Sequence, residues 1–129
     1  MKKSLLIIFV ALLALYSCQQ KSSAVTKMTP TEVNNSFYTS EDAQLIDVRT
    51  SQEFTVSHLK DAQNICVTND DFEEKVKNLD KNKPVYLYCK KGGRSAKAAE
   101  ILADMGFKEI YDLQGGITNW EESGFETEN

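Results

Sequence analysis

The chain has 129 residues, of which 15 are basic and 19 acidic, for a formal net charge of −4. That length makes one domain with a core of its own, and the acidic balance excludes nucleic acid as a partner, because phosphate binding needs a basic footprint. One histidine and three cysteines without metal-type spacing exclude a zinc site, and no metal is expected.

At the amino end, Lys2 and Lys3 precede an apolar run from Leu5 to Leu15. A bilayer-spanning helix needs roughly 20 apolar residues, so this shorter run has the make-up of a secretory signal. Leu15-Tyr16-Ser17-Cys18 is similar to the bacterial lipoprotein signal, which implies cleavage after Ser17 and a lipid on Cys18. An uncleaved anchor or a cut elsewhere is the alternative. Residues 1–17 are then a signal peptide, and the mature 112 residues carry 13 basic against 19 acidic groups. The expected location is the cell envelope, with the domain held to the membrane by the Cys18 lipid and facing the periplasm. Residues 18–28 are expected as the lipidated cysteine and a flexible tether, because Gln19 to Lys27 is polar.

The domain is expected over residues 29–126. Thr29-Pro30-Thr31-Glu32 carries a capping threonine, a first-turn proline and a glutamate three residues after the cap, predicting a helix to about Phe37. Gln44 to Val48 is short and apolar, as a buried strand is. Thr50-Ser51-Gln52-Glu53 repeats the cap signal and opens a brief helix to about Val56. Asn64 to Val67 predicts a short strand. Asp70 to Leu79 places Phe72, Val76 and Leu79 at helical spacing. Pro84 to Tyr88 is the clearest strand, and it runs directly into Cys89. Ser95 to Met105 is an alanine-rich helix that Gly106 ends. Glu109 to Leu113, the Gly115-Gly116 turn and a helix over Ile117 to Ser123 complete the chain. Strands alternating with helices predict an α/β fold: a central, mostly parallel sheet with helices on both faces.

Cys89 stands at the carboxyl end of a buried strand, where α/β sheets bind ligands. Gly92 and Gly93 let the backbone curl so that successive amides point inward as an anion nest. The helix beginning near Ser95 adds its positive end, and Lys90, Lys91 and Arg94 add three charges. Each of these favours a thiolate at Cys89 and an anionic ligand beside it. The bland alternative is a small buried hydrophobe.

Cys89-x-x-Gly92-x-Arg94-Ser95 resembles the active-site loop of the rhodanese family. Leu45 to Arg49, Glu53-Phe54, His58-Leu59, Ala62 and Asn64-Ile65 resemble its upstream signature. Leu113 to Gly116 with Trp120 resembles the downstream one, and the likeness spans about Met28 to Phe125. It implies a single rhodanese-like domain and a thiosulfate sulfurtransferase. Cys89 would take the sulfane sulfur of a small anionic donor as a persulfide and pass it to a thiol or cyanide, with no other cofactor. Backbone amides from Lys90 to Ser95, Gly92 and Gly93 included, would hold the terminal sulfur. Arg94 with Lys90 or Lys91 would bind the donor's oxyanion. In the family's pattern Asp47, Arg49, Glu53 and His58 are structural supports: Arg49 and Glu53 pair across the turn, Asp47 caps local backbone, and His58 packs. A monomer is expected.

Cys66 stands where the family usually has proline. It is expected to pack, and the alternative is a resolving thiol that attacks the Cys89 persulfide. A persulfide carrier or binding module without free-standing turnover needs the same loop. A phosphatase or arsenate reductase is the other alternative, but those loops place one more residue between cysteine and arginine.

Overall fold

The computed structural model describes residues 24–129. The expected signal peptide, the Cys18 lipidation site and the first part of the tether lie outside the described residues. The elements in chain order are β1 (Val25–Met28), α1 (Pro30–Phe37), β2 (Gln44–Asp47), α2 (Ser51–Val56) and β3 (Gln63–Asn64), followed by α3 (Phe72–Val76), β4 (Val85–Tyr88), α4 (Gly93–Asp104), β5 (Ile110–Leu113) and α5 (Gly116–Glu122). The strands pair in the order β1-β5-β4-β2-β3, and each neighbouring pair is parallel.

Strand β4 lies in the middle, and all four of its side chains are buried. Successive residues of a strand face opposite sides, so its unbroken apolar run serves two cores. Val85 and Leu87 join a cluster with Phe72 and Val76 of α3 and Ala98, Ala99 and Leu102 of α4. Tyr86 and Tyr88 join a second cluster with Val33 and Phe37 of α1, Leu59, and Ile117 and Trp120 of α5. The sheet is thus covered on both faces, as parallel sheets are. Leu87 is fully buried, a gain of about 1.5–3 kcal/mol over an exposed side chain.

Both capping boxes form. Glu32 N donates to Thr29 Oγ1 at 3.3 Å while Thr29 N donates to Glu32 Oε2 at 2.9 Å, and Thr50 and Glu53 repeat the exchange.

Three elements differ from the sequence expectation. Val25–Met28 is strand β1 rather than tether, so the folded unit begins before residue 29. It pairs in register with Ile110–Leu113, and Gln114 N reaches Met28 O at 2.8 Å. Its exposed Thr26 and Lys27 give it no hydrophobic signal; the open edge of β5 supplies the reason for the strand. Strand β3 ends at Asn64, although Ile65 N and Val67 N still bond to Asp47 O and Val48 O at the end of β2. Helix α3 spans five residues, because its cap Asp71 makes no side-chain capping hydrogen bond and the chain tightens after Val76, with Leu79 N bonding to Val76 O.

Candidate active site

Because β4 is flanked by β2 and β5, Cys89 emerges at the centre of the sheet's carboxyl edge. Gly92 has a φ of +119°, a conformation that side chains disfavour, and this lets the loop double back over the sulfur. Gly92 N donates to Cys89 Sγ at 3.0 Å, and Ser95 Oγ lies 3.4 Å from the same sulfur. Burial of Cys89, only 1% exposed, raises its pKa. Hydrogen bonds from the Ser95 hydroxyl and from the amides of Ser95, Gly92 and Lys91 outweigh that effect, and the thiol lies below its ordinary value. Of the loop amides expected to form the cradle, those of Lys91, Gly92 and Ser95 act on the sulfur. Lys90, Lys91 and Gly93 are exposed around it.

The loop is held from behind by helix α5. Ile117 N donates to Cys89 O at 2.9 Å and Thr118 N to Lys90 O at 3.1 Å. These are free first-turn amides of α5, and by fixing the carbonyls outward they leave the loop's amides to face the sulfur. The approach is close: a Cβ on Gly116 would collide with the carbonyl of Cys89 and the backbone of Lys90. Sequence reasoning saw Gly115-Gly116 as a turn and missed this support; the paired glycines were the signal.

Arg94 is bound by a carboxylate. Its Nη1 and Nη2 donate to Glu53 Oε2 and Oε1 at 2.7 and 2.9 Å. The Arg94 hydrogen bonds are the main cause that brings Glu53 down to about 2, with burial opposing and Thr50 assisting. Arg94 is raised in turn, first by its hydrogen bonds to Glu53, with burial opposing. The expected Arg49–Glu53 pair is therefore replaced. Arg49 instead pairs with Asp47, its Nη2 lying 2.6 Å from Oδ2 with both side chains buried. It also donates to Ser57 O at 2.6 Å. The physical reason is position: Asp47 and Arg49 leave β2 on the same side, two residues apart, whereas Glu53 on α2 faces the loop. Asp47 also accepts from Arg49 N at 2.9 Å, the local cap that was expected.

His58 stacks on Phe54, with ring centroids 3.9 Å apart. Its Nδ1 meets Phe54 O at 2.9 Å, and its backbone bridges to Glu128. Cys66 is buried and free, with Sγ 3.1 Å from Thr68 Oγ1. The strands preceding Cys66 and Cys89 are β3 and β4, and β2 lies between them. Two strand spacings come to about 10 Å, so a bridge between the two thiols requires the backbone to move. A groove of about 260 Å³ borders the loop, lined by Arg49, Glu53, Val56, Ser57, Lys90 and Ile117 among others. Among the described residues no cluster of side chains could hold a metal, and no helix is long and apolar enough to cross a membrane.

A buried, amide-cradled cysteine between a central parallel strand and a helix, closed by an arginine, defines a domain built around one activated sulfur. The family model for the rhodanese-like domain matches residues 29–123, and the chain belongs to that family. A Bacillus subtilis protein, YqhL, of uncharacterised function, is 42% identical over 78 residues, 60% of each chain. The tRNA uridine(34) hydroxylase of Cytophaga hutchinsonii is 40% identical over 83 residues, which is 62% of this chain but 27% of that one. The chain thus spans less than two thirds of the length of either. The thiosulfate sulfurtransferase GlpE of Actinobacillus pleuropneumoniae is 33% identical over 88 residues, 68% of this chain and 80% of that one. Among solved structures, a rhodanese-like domain protein of Staphylococcus aureus superposes with a TM-score of 0.68 at 29% identity, covering 81% of this chain and 99% of that one.

Proposed function

We propose that the protein moves sulfane sulfur from a small anionic donor of the thiosulfate class to a thiophilic acceptor through a persulfide on Cys89. The observation that carries this is the lowered thiol of Cys89 inside a ring of amide donors. The thiolate attacks the outer sulfur of the donor. The donor's S–S bond breaks, sulfite leaves with the electron pair, and Cys89 holds the new sulfur as a persulfide. An acceptor thiolate or cyanide then attacks the terminal sulfur, and Cys89 departs as thiolate. The 1% exposure of Cys89 favours donors narrow enough to enter the cradle. Since Glu53 occupies Arg94, the donor's sulfonate is assigned to Lys90, which lines the groove, with Lys91 beside it. Arg94 holds the loop in shape. We place this chemistry at the envelope membrane, tethered through Cys18, on the strength of the Leu15–Cys18 signal.

The test is sulfur transfer from thiosulfate to cyanide by the wild type beside Cys89→Ser, with intact mass read on the same samples. Turnover lost in the variant, and a sulfur adduct of about 32 Da on wild type alone, support the covalent scheme. A stable adduct without turnover points to a carrier. Neither adduct nor turnover overturns the thiosulfate assignment.

A further inference from the structure

Arg49 reaches the lip of the cysteine loop with part of its bonding capacity unused. The register that sets Asp47 beside Tyr88 continues past the strands, since Val48 N donates to Tyr88 O at 3.0 Å. Arg49 and Lys90 therefore leave β2 and β4 side by side, each one residue beyond Val48 and Cys89, and both line the groove of about 260 Å³. A guanidinium carries five N–H donors. Nε donates to Asp47 Oδ1 and Oδ2 at 3.0 and 3.1 Å, and Nη2 donates to Asp47 Oδ2 and Ser57 O, each at 2.6 Å. Nη1 has no hydrogen-bond partner among the described residues. The only unpartnered polar side-chain atom sealed from solvent among them is Asp112 Oδ1, so Arg49 Nη1 is open to solvent. The residue as a whole is 4% exposed, and the Tyr88 ring lies 5.6 Å from its Cζ. This nitrogen is thus a fixed donor at a narrow opening.

The other walls of the groove indicate what would meet it. Lys90 is exposed and forms no ion pair among the described residues. Glu53 is already engaged by Arg94 and Thr50. Glu121, exposed on α5, is the lining carboxylate that opposes an anion. At the mouth stands Val56, 75% exposed, on a helix that buries none of its residues. Two cationic side chains and an apolar lip therefore meet beside the loop, in a chain whose net charge is −4. A carboxylate on a short carbon stem matches them: the charge takes hydrogen bonds from Arg49 and Lys90, and the stem covers Val56. The two-step scheme leaves room for it, because departing sulfite vacates Lys90 before the second reactant binds. Cyanide has neither stem nor carboxylate and uses none of these groups.

We propose that Arg49 and Val56 select the sulfur acceptor: Arg49 Nη1 and Lys90 bind the carboxylate of a small organic thiol, and Val56 covers its carbon stem. The acceptor thiolate attacks the outer sulfur of the Cys89 persulfide and that S–S bond breaks. Cys89 leaves as thiolate with the electron pair, and the acceptor departs as a persulfide. This rests on the persulfide reading, so loading and discharge are measured separately. The full chain is loaded with thiosulfate, and loss of the sulfur adduct is followed by intact mass. Mercaptopropionate, mercaptoethanol and cysteamine serve as anionic, neutral and cationic acceptors, with rates referred to thiolate concentration. Mercaptopropionate should exceed cysteamine at least about tenfold, the size of one hydrogen bond to a charged group. Arg49→Lys keeps the charge but lacks the second terminal nitrogen, and should lower that ratio at least about threefold. Val56→Glu sets a carboxylate at the mouth from an exposed position and should lower it as much; it decides alone if Arg49→Lys does not fold. A wild-type ratio near one overturns the proposal, as does an unchanged ratio in either folded variant. If no adduct forms, or cyanide cannot remove it, the persulfide reading falls and the acceptor assignment with it. An adduct that cyanide removes, but that the thiols discharge without charge preference, overturns the acceptor assignment alone.

Discussion

Glu53 and Arg94 tie α2 to the cysteine loop, and their pairing has a pH signature. The Glu53 carboxyl is lowered from its ordinary value of 4.5 to about 2, chiefly by Arg94. A depressed carboxyl stabilises the fold above its unfolded pKa, and the contribution is lost as pH falls through the folded one. The window is therefore from about pH 4.5 down to about pH 2. Both side chains are about 30% exposed, so solvent screening limits the effect to about 1 kcal/mol. Urea unfolding of wild type and Glu53→Gln should show the wild type's advantage shrinking across that window, and equal pH slopes would refute the assignment. Cys89 was legible at this scale because strand, cysteine and glycine turn are contiguous. The partner of Glu53 was not. Arg49 and Arg94 are equally charged, and the one that binds lies 41 residues away.

Helix α5 shows what a short element contributes to a site it does not enter. Its first amides fix two loop carbonyls, and Gly116, with a φ of +62°, makes the close approach geometrically allowed. Gly116→Ala should cost at least about 1–3 kcal/mol in backbone strain alone. It should also displace the loop, lowering thiosulfate-dependent persulfide formation at least about tenfold under conditions where circular dichroism still reports a folded chain. An unchanged rate would show that α5 does not hold the cradle. The two capping boxes were legible because a cap is a four-residue signal, complete within itself. Thr50→Ala should cost about 0.5–2 kcal/mol in denaturant unfolding, and it removes the Thr50 hydroxyl's donation to Glu53 Oε2 while the backbone amide's donation stays. Strand β1 was illegible by the same logic, because its four residues carry no apolar alternation of their own.

For the whole molecule, β1 closes the β5 edge. A chain beginning at Thr29 should be less stable than one beginning at Ala24 by about 2–4 kcal/mol, from lost ladder bonds and uncovered apolar surface. Denaturant midpoints of the two chains check this, and coincidence would demote β1 to a loosely attached segment. By itself, the sequence determined the α/β alternation, both threonine caps and the place of Cys89 between a buried strand and a glycine turn. Each depends on periodicity or on groups a few residues apart, where backbone geometry leaves few choices. Only the tertiary structure decided that Arg94 rather than Arg49 holds Glu53, and that Val25–Met28 becomes a strand. Those outcomes are set by which strands become neighbours. Parallel pairing joins residues far apart in the chain, through contacts that no local pattern encodes.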